Sequence, residues 1–308
     1  MRRYFTSSCT TAAVIALATV GCTGDNVERN GSAEPRKAVG AVRDQGRELT
    51  DAERARLGHA EALLVKRCME GQGFRYWVRA WRGEGEALRH GYVLTDVTWA
   101  RKHGYGGRIE KELMKEKLSN PNIAYRNQLT EEDRARYVTA LGRSDELEMH
   151  VTLPGGQTVG STIGGCQAEA QRRLYGDPRT WFRVTRVTDN LTPLYVPDIE
   201  RDPRFRSAQR AWSACMHEAG HRYASPGELR SDLPRLSEGV SPETAHTIEV
   251  RLAVREAECA ARTSLGKTAR SLEREYSREV RRRYRDEIDT RRRMELAALA
   301  RAAEITSS

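Results

Sequence analysis

The stretch Ala211-Trp-Ser-Ala-Cys215-Met-His-Glu-Ala-Gly-His-Arg-Tyr223 spells two kinds of chemistry that exclude each other. His217-Glu218-Ala219-Gly220-His221 has the spacing of a zinc peptidase: two imidazoles four residues apart on one helical face hold the metal, and Glu218 between them acts as general base. The third ligand would come from the next helix, where Glu243, His246 and Glu249 stand. Read from its cysteine, Cys215-Met216-x-x-x-Gly220-x-Arg222-Tyr223 repeats Cys68-Met69-x-x-x-Gly73-x-Arg75-Tyr76. Gly220 then aligns with Gly73 and His221 with Phe74. A helix that closes on the glycine leaves His221 beyond its end and removes the shared face. The repeat matches more positions than the five-residue pattern, so we read the stretch as a helix terminus without a cofactor, and zinc enzymology as the alternative.

Cys166 offers a second reactive group. It opens a helix after Gly164-Gly165, where the helix dipole favours a thiolate, and His150 or His246 could serve as its base. The competing fate of that sulfur is a disulfide. Apart from Cys9 and Cys22 near the start, the chain has Cys68, Cys166, Cys215 and Cys259, an even set that in an oxidising compartment allows three pairings. The repeat chooses among them. In each half a capped amphipathic helix carries Cys-Met near its end, a glycine and Arg-Tyr follow, and a later helix presents another cysteine: Cys166 before Leu174 and Gly176, Cys259 before Leu265 and Gly266. The expected bridges are Cys68–Cys166 and Cys215–Cys259, each stabilising its half by roughly 3 to 5 kcal/mol in the chain-entropy model.

An oxidising compartment agrees with the N-terminus. Arg2 and Arg3 precede an apolar run from Ala12 to Val20, which reads as a signal segment over residues 1–21 and is too short to span a bilayer comfortably. Thr19-Val20-Gly21-Cys22 resembles a bacterial lipoprotein box with Thr19 where Leu is usual, so Cys22 is expected to be acylated and to begin the mature chain; simple cleavage and free secretion is the alternative. Residues 22–48 are polar and lack apolar periodicity, as a flexible tether off a membrane does. The chain is thereby expected on the extracytoplasmic face of a bacterial membrane, held by lipid at Cys22.

A net charge of +9 would suggest nucleic acid inside a cell. Outside one, the polyanions to hand are lipid headgroups and acidic wall polymers, and intracellular nucleic acid is not an expected partner. The run Arg281-Arg282-Arg283 is the candidate anion-binding segment, although Glu279 with Arg283 and Glu287 with Arg291 have the spacing of self-neutralising helical pairs.

These groups must be positioned mainly by helices. Thr50-Asp-Ala-Glu53 is a capping box before Leu57, Ala60, Leu64 and Cys68, an apolar stripe at helical spacing. Asn120-Pro-Asn122 breaks a short helix, and Thr130-Glu-Glu-Asp133 starts another. Leu147, Met149, Val151 and Leu153 alternate, turn at Pro154-Gly-Gly156 and continue through Val159 and Ile163, giving a hairpin. Trp181 to Val187 reads as a strand or an extended connector. Asp202-Pro203 and Ser241-Pro242 each supply a cap and a proline at the first helical position. Leu272, Tyr276, Val280, Tyr284 and Ile288 recur every fourth residue along one long charged helix ending near Ala303, a stripe that drifts around the helix and must wrap across its neighbours. The expectation is a mainly α, disulfide-stapled fold with a small β-hairpin, divided into a first repeat-like half over 49–190 and a second helical half over 191–308.

The paired Cys-Met motifs, the Gly165-Cys166-Gln-Ala-Glu-Ala170 helix and the charged C-terminal helix resemble those of a group of secreted lipoproteins from high-GC Gram-positive bacteria. The resemblance implies an envelope protein with a binding or scaffolding role, and it implies no activity.

Overall fold

The capping box at Thr50 forms as its spacing predicts: the Glu53 amide donates to Thr50 Oγ1 at 3.3 Å, and the Thr50 amide donates to Glu53 Oε2 at 2.8 Å. In the computed structural model, which describes residues 47–79, 90–142 and 148–307, it starts α1 (Asp51–Gly71). The expected signal, Cys22, the tether as far as residue 46, Trp81 and Leu147 lie outside the described residues. α1 is followed by α2 (Val97–His103), α3 (Gly107–Leu118), α4 (Pro121–Gln128) and α5 (Glu131–Leu141). The hairpin pairs β1 (Glu148–Thr152) with β2 (Thr158–Thr162) antiparallel, Val151 opposite Val159, and buries Met149 and Val151.

Three further helices start on a capping side chain followed by proline: α7 (Pro178–Asp189), α9 (Pro203–Glu218) and α11 (Pro242–Arg262). α4 and α10 (Pro226–Leu236) start the same way, Asn120 accepting from the Asn122 amide at 2.9 Å and Ser225 from the Glu228 amide at 3.0 Å. Two expectations are thereby corrected. Asn120-Pro-Asn122 opens a helix as well as ending one, and Trp181 to Val187 is helical, because Asp177 accepts from the Thr180 amide at 2.8 Å and Phe182, Val184 and Val187 are buried from α7. The remaining helices are α6 (Gly165–Tyr175), α8 (Val196–Arg201), α12 (Leu265–Arg283) and α13 (Arg285–Ser307). The single long helix expected at the C-terminus is two, interrupted at Tyr284.

The disulfides are Cys68–Cys166, joining α1 to α6, and Cys215–Cys259, joining α9 to α11, with Cα separations of 5.5 and 5.7 Å. Each sits in its own core. The first gathers Leu57, Leu64 and Met69 of α1, Leu174 of α6 and Ala298 and Ala302 of α13; the second gathers Trp212 and Met216 of α9 with Leu252 of α11 and Leu265 and Leu272 of α12. A third core lies under the hairpin against Phe182 and Val187. The stripe along α12 and α13 passes from one core to another as its drift requires: Tyr276 and Val280 pack on the second, Val280, Tyr284 and Ile288 on the third. The two halves expected on either side of 190/191 are in contact. α13 returns to pack on α1, α6 and α7, and the described residues belong to one compact unit. Among them no helix is long and apolar enough to cross a membrane.

Candidate functional site

The two Cys-Met motifs end their helices in the same way. Gly73 and Gly220 both have φ of +83°, and in each case the residue after the glycine donates its amide back to the methionine carbonyl at 2.9 Å, Phe74 to Met69 and His221 to Met216. This is the left-handed closure for which glycine carries no steric penalty. α9 therefore ends at Glu218 and His221 lies beyond it. His217 is exposed, and Glu218 faces Arg262 at 3.6 Å. His221 is half-buried, and burial, aided by Arg251 and Arg255, lowers its imidazole pKa. Nor do the expected third ligands converge: Glu249 accepts from the amides of Tyr105 and Gly107, each at 2.8 Å, while His246 Nδ1 stands 3.8 Å from Glu249 Oε2. Among the described residues no three His, Cys, Asp or Glu side chains are grouped to hold a metal ion. The helical face that a peptidase built on His217, Glu218 and His221 requires is not formed. Cys166 is likewise no nucleophile, since its sulfur is bonded to Cys68.

Arg281, Arg282 and Arg283 meet three different partners. Successive helical residues point about 100° apart, and here Arg281 meets Glu48 at 3.7 Å, Arg282 pairs with Glu279, and Arg283 lies over the Tyr284 ring at 5.5 Å. The pairs expected from spacing also re-sort: Glu287 pairs with Arg183 at 3.1 Å, and Arg291 with Asp189 at 2.6 Å and Glu295 at 2.9 Å. The arginines that do share a face are Arg270, Arg274, Arg278 and Arg281 of α12, which with Tyr195, Glu273 and Ser277 line a shallow groove of about 440 Å³.

Two glutamates that sequence reasoning passed over stand at polar sites within the cores. Glu256 on α11 is fully buried and accepts three bonds: from the Leu94 amide at 2.7 Å, Tyr105 Oη at 2.6 Å and Arg230 Nη2 at 2.8 Å. Arg230 also donates to the Gly91 carbonyl at 3.1 Å, so the pair ties the segment before α2 to the second core. Burial, with Glu256 beside it, pushes the Tyr105 hydroxyl pKa far above its usual value.

Glu61 on α1 lies in a cleft of about 660 Å³ between β2, α1, α6 and α7. Among the described residues its carboxylate accepts two long bonds, from Gln171 Nε2 at 3.3 Å and Tyr175 Oη at 3.4 Å. Burial raises its pKa against the lowering effect of those bonds, and its charge in turn adds to the burial that raises the Tyr76 hydroxyl. Tyr175 is stacked on Trp181, ring centres 3.8 Å apart and 6° from parallel. The sequence does carry a signal for both glutamates. Glu61 falls four residues after Leu57 and three before Leu64, and Glu256 four after Leu252 and three before Cys259, so each interrupts an apolar stripe. A carboxylate there must be either satisfied or poised for a ligand. Compared with protein-family models, curated proteins and solved structures, the chain matches none.

Proposed function

We propose that the chain is a lipid-anchored protein of the extracytoplasmic envelope that works by binding or scaffolding, as the resemblance to secreted lipoproteins implies. The observation that carries the reading is the pair of bridges, which uses every cysteine after Cys22, one bridge to each repeated motif. Such bridges persist where thiols are not kept reduced, and the N-terminal sequence is that of an exported chain. Membrane contact in this reading is the lipid on Cys22, with more than one acyl chain needed for stable anchoring. Intact mass of the protein purified from a bacterial envelope tests it. The expected species begins at Cys22, carries acyl mass, and gains four hydrogens on reduction. An unacylated chain retaining residues 1–21, or one whose mass is unchanged by reductant, overturns it.

A second reading, binding of an anionic wall polymer, is favoured by the α12 groove. Arg270, Arg274 and Arg278 recur every fourth residue, about 6 Å apart along the axis, and outnumber the one carboxylate in the lining, Glu273, which accepts from Tyr195 Oη at 3.3 Å. Retention on a polyphosphate column should fall with salt. It should fall most in the triple variant Arg270→Gln/Arg274→Gln/Arg278→Gln, and little in Arg282→Gln/Arg283→Gln.

A further inference from the structure

We propose that the cleft around Glu61 is a saccharide-binding site. This deepens the binding reading by naming a ligand class. A sugar ring presents hydroxyls that both donate and accept, and C–H faces that pack on aromatic rings; it is recognised by planar polar side chains beside an aromatic surface. The cleft supplies these groups together. Glu61, Gln167 and Gln171 line it with Tyr76 and Trp181, and Met149 and Ile163 form an apolar wall. Its volume of about 660 Å³ suits a short oligosaccharide.

Glu61 decides between ligand classes. An ionised carboxylate has roughly four acceptor sites, and this one, desolvated, uses two of them at 3.3 and 3.4 Å. A hydroxyl entering the cleft would donate to it at normal length; a wholly apolar ligand would strip its remaining water and return nothing. An anion is disfavoured by Glu61 itself and by the state of the nearby cations. Arg291 is held by Asp189, Thr188 and Glu295 at 2.6 to 2.9 Å, and Arg186 lies over the Phe182 ring at 5.4 Å. A metal ion is disfavoured because the other carboxylate lining the cleft, Asp189, is the one paired with Arg291. What remains is a neutral, hydroxyl-rich ligand with a face for Trp181.

The test titrates chitotetraose, cellotetraose and maltotetraose separately into the full, disulfide-bonded chain, reading calorimetry and backbone amide shifts. At least one should bind, with shifts centred on Glu61, Ser161, Gln167 and Gln171. Glu61→Leu should weaken that binding at least tenfold while leaving the melting temperature close to wild type. Gln167→Ala, at an exposed position, should weaken it several-fold and keeps the test decisive if Glu61→Leu fails to fold. Arg282→Gln should leave it unchanged. Absence of binding by all three sugars, shifts centred elsewhere, or a cleft variant that binds as wild type does overturns the proposal. The outcome is separate from that of the intact mass: an exported, acylated chain that ignores all three sugars defeats the cleft alone, and a sugar-binding chain without acylation defeats the anchor alone.

Discussion

The two halves share a helix terminus and a disulfide, yet the glutamates that interrupt their apolar stripes, Glu256 fully buried and Glu61 half-buried, have opposite fates. Around Glu256 the surroundings are closed: three donors at 2.6 to 2.8 Å reach a carboxylate with no exposed surface, and one of them, Arg230, supplies the countercharge. Around Glu61 they are open: two neutral donors stand at 3.3 and 3.4 Å beside a cleft. The position matching Glu61 in the second motif is Ala208, packed at the edge of the second core. The same scaffold thus carries a buried polar tie in one half and an incompletely satisfied carboxylate in the other. Similar backbone signals set the frame, and the polar residues within the apolar stripes decide which half is structural and which is available for binding.

Breaking the shared staples should have the largest effect. The bridges close loops of 98 and 44 residues, which the chain-entropy model values at about 4.7 and about 4 kcal/mol. Cys68→Ala/Cys166→Ala should therefore destabilise slightly more than Cys215→Ala/Cys259→Ala in equilibrium denaturant unfolding, and a reversed order would mean that the second half depends on its staple for more than loop closure. Next come the glutamates. Glu256→Leu takes the countercharge from Arg230 and the acceptor from the Leu94 amide and should cost roughly 3 to 5 kcal/mol, as removal of one partner of a buried pair does. Glu61→Leu should stay within about 1 kcal/mol of wild type, since it removes two weak bonds and a desolvated charge together. Equal costs at the two sites would erase the contrast.

A smaller effect checks the twin termini. At Gly73 and Gly220 an added Cβ would meet nothing within 4 Å, so alanine there pays only for the left-handed backbone. Gly73→Ala and Gly220→Ala should each cost about 1 to 2 kcal/mol and should agree closely. A markedly cheaper Gly220→Ala would indicate that α9 can continue through His221, and the imidazole face that the zinc pattern needs would be back in play.

Local signals made much of this legible. Thr50, Asp202-Pro203 and Ser241-Pro242 start helices because a side-chain oxygen, and in the last two a preset φ, acts within one turn, and the nine-residue repeat together with the looser match around Cys166 and Cys259 pointed to both bridges. Asp177-Pro178 carries the same signal, but Val184, Thr185, Val187 and Thr188 favour a strand by their branching, and packing on the hairpin and α13 outweighs that preference. The return of α13 to the first core and the interruption at Tyr284 depend on contacts between distant segments, so no window of sequence contains them. For the candidate site, the repeat outweighed the histidine pattern because Gly220 closes its helix as Gly73 does, whereas the partners of Arg281, Arg282 and Arg283 depend on residues that spacing alone does not name. Glu61 and Glu256 were visible as interruptions of apolar stripes, but their different fates depend on Arg230, Tyr105, Gln171 and Tyr175, which arrive from elsewhere in the chain.

The finest test sets Glu61 against a carboxylate on the same helix with the opposite environment. Arg47 donates twice to Glu53, each at 2.6 Å, and with the Thr50 amide holds its pKa down from 4.5 to about 2. That contribution is full above pH 4.5 and is lost as pH falls through about 2. Glu61 has the reverse sign. Burial raises its folded pKa above 4.5, so between 4.5 and the raised value the native state binds more protons than the unfolded chain, and stability grows as pH falls through that window. Unfolding free energies of Glu61→Gln minus wild type should therefore be most favourable to the variant near neutral pH and shrink towards pH 4.5. The same difference for Glu53→Gln should favour wild type above pH 4.5 and fade on further acidification. Two parallel curves would mean that Glu61 is as well served by its neighbours as Glu53, and the cleft would have no unmet demand for a ligand hydroxyl.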